Sequence, residues 1–106
     1  LAGFACIFLN HDTHWGTLLD NLHVLPAYKW LGIGKELIKT AAQFAVQHAD
    51  AEGFYLWVFE KNTDARAFYD RLGAVNQERI IAPTFDGNPE PILRYTWKAT
   101  QLANIE

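Results

Sequence analysis

The chain has 106 residues, half of them apolar, and a formal net charge of −3. That length bounds it to a single domain, residues 1–106, with a small core, and no run approaches the roughly 18 apolar residues that cross a bilayer. The acidic balance shows no concentrated basic face, so no nucleic-acid partner is expected and any anion site must be local.

Residues 1–9 form an apolar stretch with Phe4, Ile7 and Phe8, followed by a turn at Asn10, His11, Asp12 and Thr13, which predicts a strand and its reversal. The lone Cys6 lies inside that run; it excludes an internal disulfide and reads as a small buried thiol. Residues 15–25 read as the returning strand of a hairpin, ended by Pro26, which cannot donate a ladder hydrogen bond. Over residues 34–49, Leu37, Ile38, Ala41, Ala42, Ala45, Val46 and Ala49 recur at three- and four-residue steps, the spacing of one buried helical stripe.

Residues 54–59 are apolar throughout, as in a central strand covered on both faces. Asn62, Thr63 and Asp64 supply capping oxygens for a short helix that carries Ala65, Phe68 and Leu72 inward, with Gly73 placed to end it. Residues 75–82 and 92–97 read as a closing pair of strands around a turn-rich loop. Trp15, Trp57 and Trp97 read as sheet-packing or interface residues. The order predicts an α+β (α/β) fold: a mixed, mostly antiparallel central sheet with two packed helices.

The chemically informative stretch is residues 22–37, LHVLPAYKWLGIGKEL, where a strand ends, a loop carries Gly32 and Gly34, and a long helix begins. Amides of a first helical turn lack internal partners and sit at the positive end of the helix dipole, so a phosphate docked there accepts their hydrogen bonds. Lys29 and Lys35 can add charge at the rim. A P-loop is excluded because Lys29 and Glu36 stand where a glycine and a hydroxyl are needed, and a dinucleotide fingerprint fails at Leu37. A glycine turn with no ligand explains the same residues. His11 and His14, on a polar turn with only Asp12 nearby, make a poor metal site, and no metal is expected.

Lys29-Trp30-Leu31-Gly32-Ile33-Gly34 resembles the phosphate loop of the GNAT acetyltransferases: Arg or Gln, two residues, Gly, one residue, then Gly or Ala. Lys29 departs from the first position. The block from Asn62 to Ala74, NTDARAFYDRLGA, is similar to the family's later Asn…Ala…Phe-Tyr…Gly block. Residues 19–24 resemble the acidic strand before the phosphate loop in several members, including spermidine/spermine acetyltransferases. The resemblance covers nearly the whole chain but lacks the family's opening strand and helices, so an N-terminally truncated GNAT-like fold is expected.

The resemblance implies acetyl-CoA as cosubstrate, its pantetheine arm lying between the strand ending at Val24 and the strand beginning near Phe54. The implied cofactor-binding residues are Leu22, His23, Val24, Lys29, Trp30, Leu31, Gly32, Ile33, Gly34, Lys35, Asn62, Ala65, Phe68 and Tyr69. An attacking amine must lose a proton and the departing thiolate must gain one. Tyr69 is the implied acid, with a core tyrosine as the plain alternative. Asp20 is the candidate base, acting through water, with His23 competing for the role.

The expected function is transfer of an acetyl group to a primary amine of a small molecule or protein. The alternatives are an acyl-CoA-binding module without turnover and an interaction domain without cofactor. A cytoplasmic protein is expected, because the first residues lack signal-peptide order. A homodimer or strand exchange is expected to cover residues 1–9, an open apolar edge.

Overall fold

The computed structural model describes residues 2–28, 32–83 and 87–105. Five strands and three α-helices follow one another as β1 (Gly3–Asp12), β2 (Gly16–Val24), α1 (Ile33–His48), β3 (Gly53–Phe59), α2 (Thr63–Arg71), β4 (Val75–Pro83), β5 (Pro89–Lys98) and α3 (Ala99–Ala103), with a 3-10 turn at Pro26–Tyr28. The strands form one sheet in the order β1-β2-β3-β5-β4. Among the described residues only the β2–β3 pair is parallel; β1–β2, β3–β5 and β4–β5 are antiparallel. The α+β reading of the sequence therefore holds, with β3 in the middle of the sheet.

The helices lie on one face. Ile38, Ala42 and Ala45 of α1 share a core with Phe54, Leu56 and Val58 of β3 and with Leu93, Tyr95 and Trp97 of β5, and Ala65, Tyr69 and Leu72 of α2 pack against the same cluster. Burying each of the large side chains contributes about 1.5–3 kcal/mol. A hydrogen bond from Trp97 Nε1 to the Leu72 carbonyl (3.1 Å) fastens the end of α2 to β5.

Because strand side chains alternate, the opposite face carries the other parity: Phe4, Cys6 and Phe8 of β1, Tyr55, Trp57 and Phe59 of β3, and Arg94 of β5. Cys6 is thus exposed rather than a buried thiol. The apolar run around it suggested burial, but the helices cover only the side of β1 that faces Leu37. Phe59 is likewise exposed, so β3 is covered on both faces only over its first residues.

Other boundaries shift for local reasons. β1 runs on through Asn10 and His11 to Asp12, and the turn falls at residues 13–15, where Asp12 Oδ1 accepts hydrogen bonds from the His14 and Trp15 amides at 2.7 and 2.9 Å. Those two amides, Trp15 foremost, hold the Asp12 carboxyl below its ordinary value. On α1 the buried stripe is Ile38, Ala41, Ala42 and Ala45, whereas Val46 is exposed. The third helix, α3, was not expected; Ala99 and fully buried Leu102 anchor it beside α1.

Candidate active site

The cleft arises where β2 and β3 part. Their pairing is confined to Thr17 with Phe54 and Leu18 with Tyr55, after which no ladder joins them. At the closed end the backbones meet at two glycines: a side chain on Gly16 would lie 2.7 Å from the Gly53 carbonyl carbon, and one on Gly53 would lie 2.9 Å from that of Trp15. Gly16 also has φ +90, a conformation side chains disfavour. Close approach at one end and divergence at the other shape a wedge.

The wedge is a cavity of about 180 Å³ lined by Leu19, Asp20, Asn21 and Leu22 of β2, residues 56–59 of β3, and Asn62, Ala65 and Tyr69 at α2. It reaches both faces of the sheet, since Leu56 and Val58 point to the helices while Trp57 and Phe59 have the opposite parity. Between β1 and β2 the register slips after Cys6–Asn21 to Ile7–Leu19, leaving Asp20 as the extra residue of a bulge. A bulge re-aims the side chains beside it, and this one sets exposed Asp20 at the cleft wall.

Tyr69 forms the helix-side wall. Its ring stands edge-on to Trp97 (centroids 5.9 Å) and Tyr95 (6.3 Å), and Phe68 adjoins it at 5.3 Å. Burial raises its phenol above the ordinary value of 10.0, so it stays protonated throughout the neutral range. Arg66 holds α2 in place: its Nε donates to the Tyr95 hydroxyl (3.1 Å) and an Nη to the Glu60 carbonyl (3.0 Å). Asn62 caps α2, its Oδ1 accepting from the Ala65 amide at 3.2 Å, while its side chain lines the cleft.

Beyond the open end lies the start of α1. Gly32 is its N-cap with φ 78, and having no side chain it offers no cap hydrogen bond. A helix start is a place where backbone amides and the helix dipole favour an anion. Ile33, Gly34 and Lys35 form the first residues of the helix. A Cβ on Gly34 would meet the Phe68 ring at 3.4 Å and Val24 at 3.7 Å, so Val24, Gly34 and Phe68 converge where the strand ends and the helices meet. Lys29, Trp30 and Leu31 lie outside the described residues.

The structure thus gathers Asp20, Leu22, Asn62, Ala65 and Tyr69 in one cleft, with Val24, Gly34 and Phe68 at its end. His23 is not among the lining residues; it is exposed and stacks at 5.5 Å on Phe4 across the β1–β2 pair. Of the two candidate bases, Asp20 is the one that lines the cleft. Sequence reasoning missed Leu19, Asn21, Leu56, Trp57, Val58 and Phe59 as lining residues. Their signal was the divergence of two adjacent strands, which exposes both parities of each at the gap.

The site is a slot between two strands whose pairing ends at Leu18 and Tyr55, with a phenol at its wall and the start of α1 beyond its open end. The sequence profile of the acetyltransferase (GNAT) family matches residues 1–74. Among solved structures, Arabidopsis thaliana NAA60 in complex with acetyl-CoA is similar at 24% identity and TM-score 0.72, covering 92% of this chain and 66% of that one. The ribosomal-protein-S18-alanine N-acetyltransferase of Escherichia coli is similar at 26% identity and TM-score 0.64, covering 78% and 54%. A chimera of Vibrio cholerae spermidine N-acetyltransferase with hSSAT is similar at 19% identity and TM-score 0.76, covering 99% and 64%. This chain therefore spans less than two thirds of each of these three solved chains, 54–66%.

Proposed function

Since the chain belongs to the acetyltransferase (GNAT) family, we propose that it is a cytoplasmic enzyme transferring an acetyl group from acetyl-CoA to a primary amine of a small molecule or protein. The observation that carries this reading is the wedge between β2 and β3, with Tyr69 on its wall and the start of α1 beyond its open end. The pantetheine arm lies along the unpaired edges near Leu22, His23 and Val24, His23 contributing backbone only. The pyrophosphate rests on the amides at Gly32, Ile33, Gly34 and Lys35 with the loop of Lys29, Trp30 and Leu31, and Asn62, Ala65 and Phe68 flank the arm from α2.

In the reaction the amine nitrogen forms a bond to the thioester carbonyl carbon and the carbon–sulfur bond breaks. One ammonium proton passes through water to Asp20 and frees the nitrogen lone pair; after attack the Tyr69 hydroxyl gives its proton to the departing sulfur, and the second proton on the nitrogen restores the phenol through water, leaving a neutral amide and free thiol. Asp20 is suited to the base role because it is exposed at the cleft and hence reachable by water. The similar structures carry names that include a spermidine and an alanine N-acetyltransferase, which sets the amines to try.

Release of free CoA thiol, followed with spermidine, an alanine-starting peptide and a lysine-containing peptide, tests the proposal. Turnover with at least one amine above thioester hydrolysis is expected. Binding of acetyl-CoA with no turnover across the panel would assign a binding module instead.

We also propose a homodimer built through β1, which lies at the sheet edge with Phe4 and Phe8 exposed. Exposed strand edges tend to find partners. Sedimentation should give a dimer mass, and a strictly monomeric species at high concentration would contradict it.

A further inference from the structure

Arg94 is an arginine in the middle of β5, opposite Trp57 on β3 and Glu78 on β4. Its side chain is 12% exposed. The guanidinium carbon lies 4.2 Å from the centre of the Trp57 ring, 4.5 Å from that of Trp15 and 5.0 Å from that of Tyr55. An Nη donates to Glu78 Oε1 at 3.0 Å, and the buried Nε has no partner.

A nearly buried cation persists only where something replaces its water. Here the Glu78 carboxylate, the nearby charge of Asp12 and three aromatic rings do so. Of the three rings, Trp57 alone belongs to the cleft. Its indole lies against a cation that is itself held by Glu78.

The same stretch of wall carries exposed Phe59 and, across the gap, Asp20. Two aromatic side chains beside one carboxylate suit an ammonium on an apolar stem: the stem packs on the rings and the charge faces the acid. The Trp57 face is already occupied by Arg94, so the acceptor's cation is left to Asp20.

We propose that Arg94 is a positioning residue that fixes the Trp57 indole as one wall of the cleft and thereby sets the affinity for an acceptor amine carried on an apolar stem. The acceptor half rests on the acetyltransferase reading; the bracing of Trp57 does not.

The test is Arg94→Lys, which keeps the charge and loses the plane, read on the Trp57 indole N–H resonance, identified by its loss in Trp57→Phe. That resonance should shift and broaden, and an unmoved resonance overturns the inference. In the active enzyme the KM for the best amine of the panel should rise about tenfold, with kcat and acetyl-CoA affinity within about twofold, the pattern of lost ground-state contact. An unchanged amine KM, or one that rises only in step with weakened acetyl-CoA binding, overturns it as well. Should Arg94→Lys fail to fold, Glu78→Gln on the half-exposed partner must give the same changes at smaller size, and none at all overturns the inference. Wild-type protein that neither binds acetyl-CoA nor turns over strikes the acetyltransferase reading, while the indole resonance still decides whether Arg94 holds Trp57.

Discussion

Replacing Tyr69 with phenylalanine is expected to lower kcat by about 10²–10⁴-fold, the usual worth of a positioned proton donor, while leaving acetyl-CoA affinity within about twofold. The ring fits between Tyr95 and Trp97 in edge-on contacts that a phenyl group preserves, so no cavity opens and only the hydroxyl is lost. The pH profile separates this from a packing role. Burial raises the phenol above 10.0, so the wild-type donor stays protonated through neutral pH and is lost only as pH climbs past that value. The same shift has a stability sign. Below the ordinary value both folded and unfolded chains hold the proton and the group adds no pH dependence; above it the unfolded chain ionises first, and stability falls. Tyr69→Phe should remove that alkaline loss, and unchanged turnover in the variant would take Tyr69 out of the mechanism.

The second large effect is expected at the closed end of the wedge. Gly16→Ala places a side chain where φ is +90 and within 2.8 Å of Gly53 Cα. Backbone strain and the collision together should cost about 2–5 kcal/mol, lowering the melting temperature on the order of 10–40 °C in a domain of this size. Forcing β2 from β3 also breaks the Thr17–Phe54 pairing that anchors the cleft, so acetyl-CoA affinity should fall with stability. Gly73→Ala is the control: it shares a positive φ, +88, but has nothing within 4 Å of the added carbon, and should cost about 1 kcal/mol. Equal losses in the two variants would show that the close approach contributes nothing.

How much of this could be read from sequence depended on periodicity and on local chemistry. α1 was legible because its alanines and Ile38 repeat at helical spacing, yet the same rule placed Val46 inside. One residue at the stripe's border turns outward, and spacing alone does not locate the border. α3 was invisible because five residues hold only two buried anchors, Ala99 and Leu102, too few for any period. Cys6 was misread because an apolar run looks the same whether one or both faces are covered, and the placing of both helices on one side is a tertiary fact.

The site divides in the same way. The residues alone indicated the cap at Asn62 and the inward face of α2, while the resemblance of the block from Asn62 to Ala74 to the family's later block singled out Tyr69, Asn62 and Ala65, which line one cavity. Asp20 gained its place from a bulge that no local signal announces. Trp57 and Phe59 line the wedge because β3 loses its neighbour halfway along, a property of strand pairing rather than of β3 itself. Arg94 gave a faint signal, a charge within an apolar strand, but its meaning depends on rings from β3 and from the turn before β2.

On the proposed function, the parted strands and the start of α1 together take up an acyl-CoA. Calorimetric titration of this chain with acetyl-CoA, alongside CoA and a dinucleotide, measures it directly. Saturable one-to-one binding of the two CoA species, with none of the dinucleotide, is the predicted result. Absence of saturable acetyl-CoA binding by the folded chain, or equal binding of the dinucleotide, would contradict it.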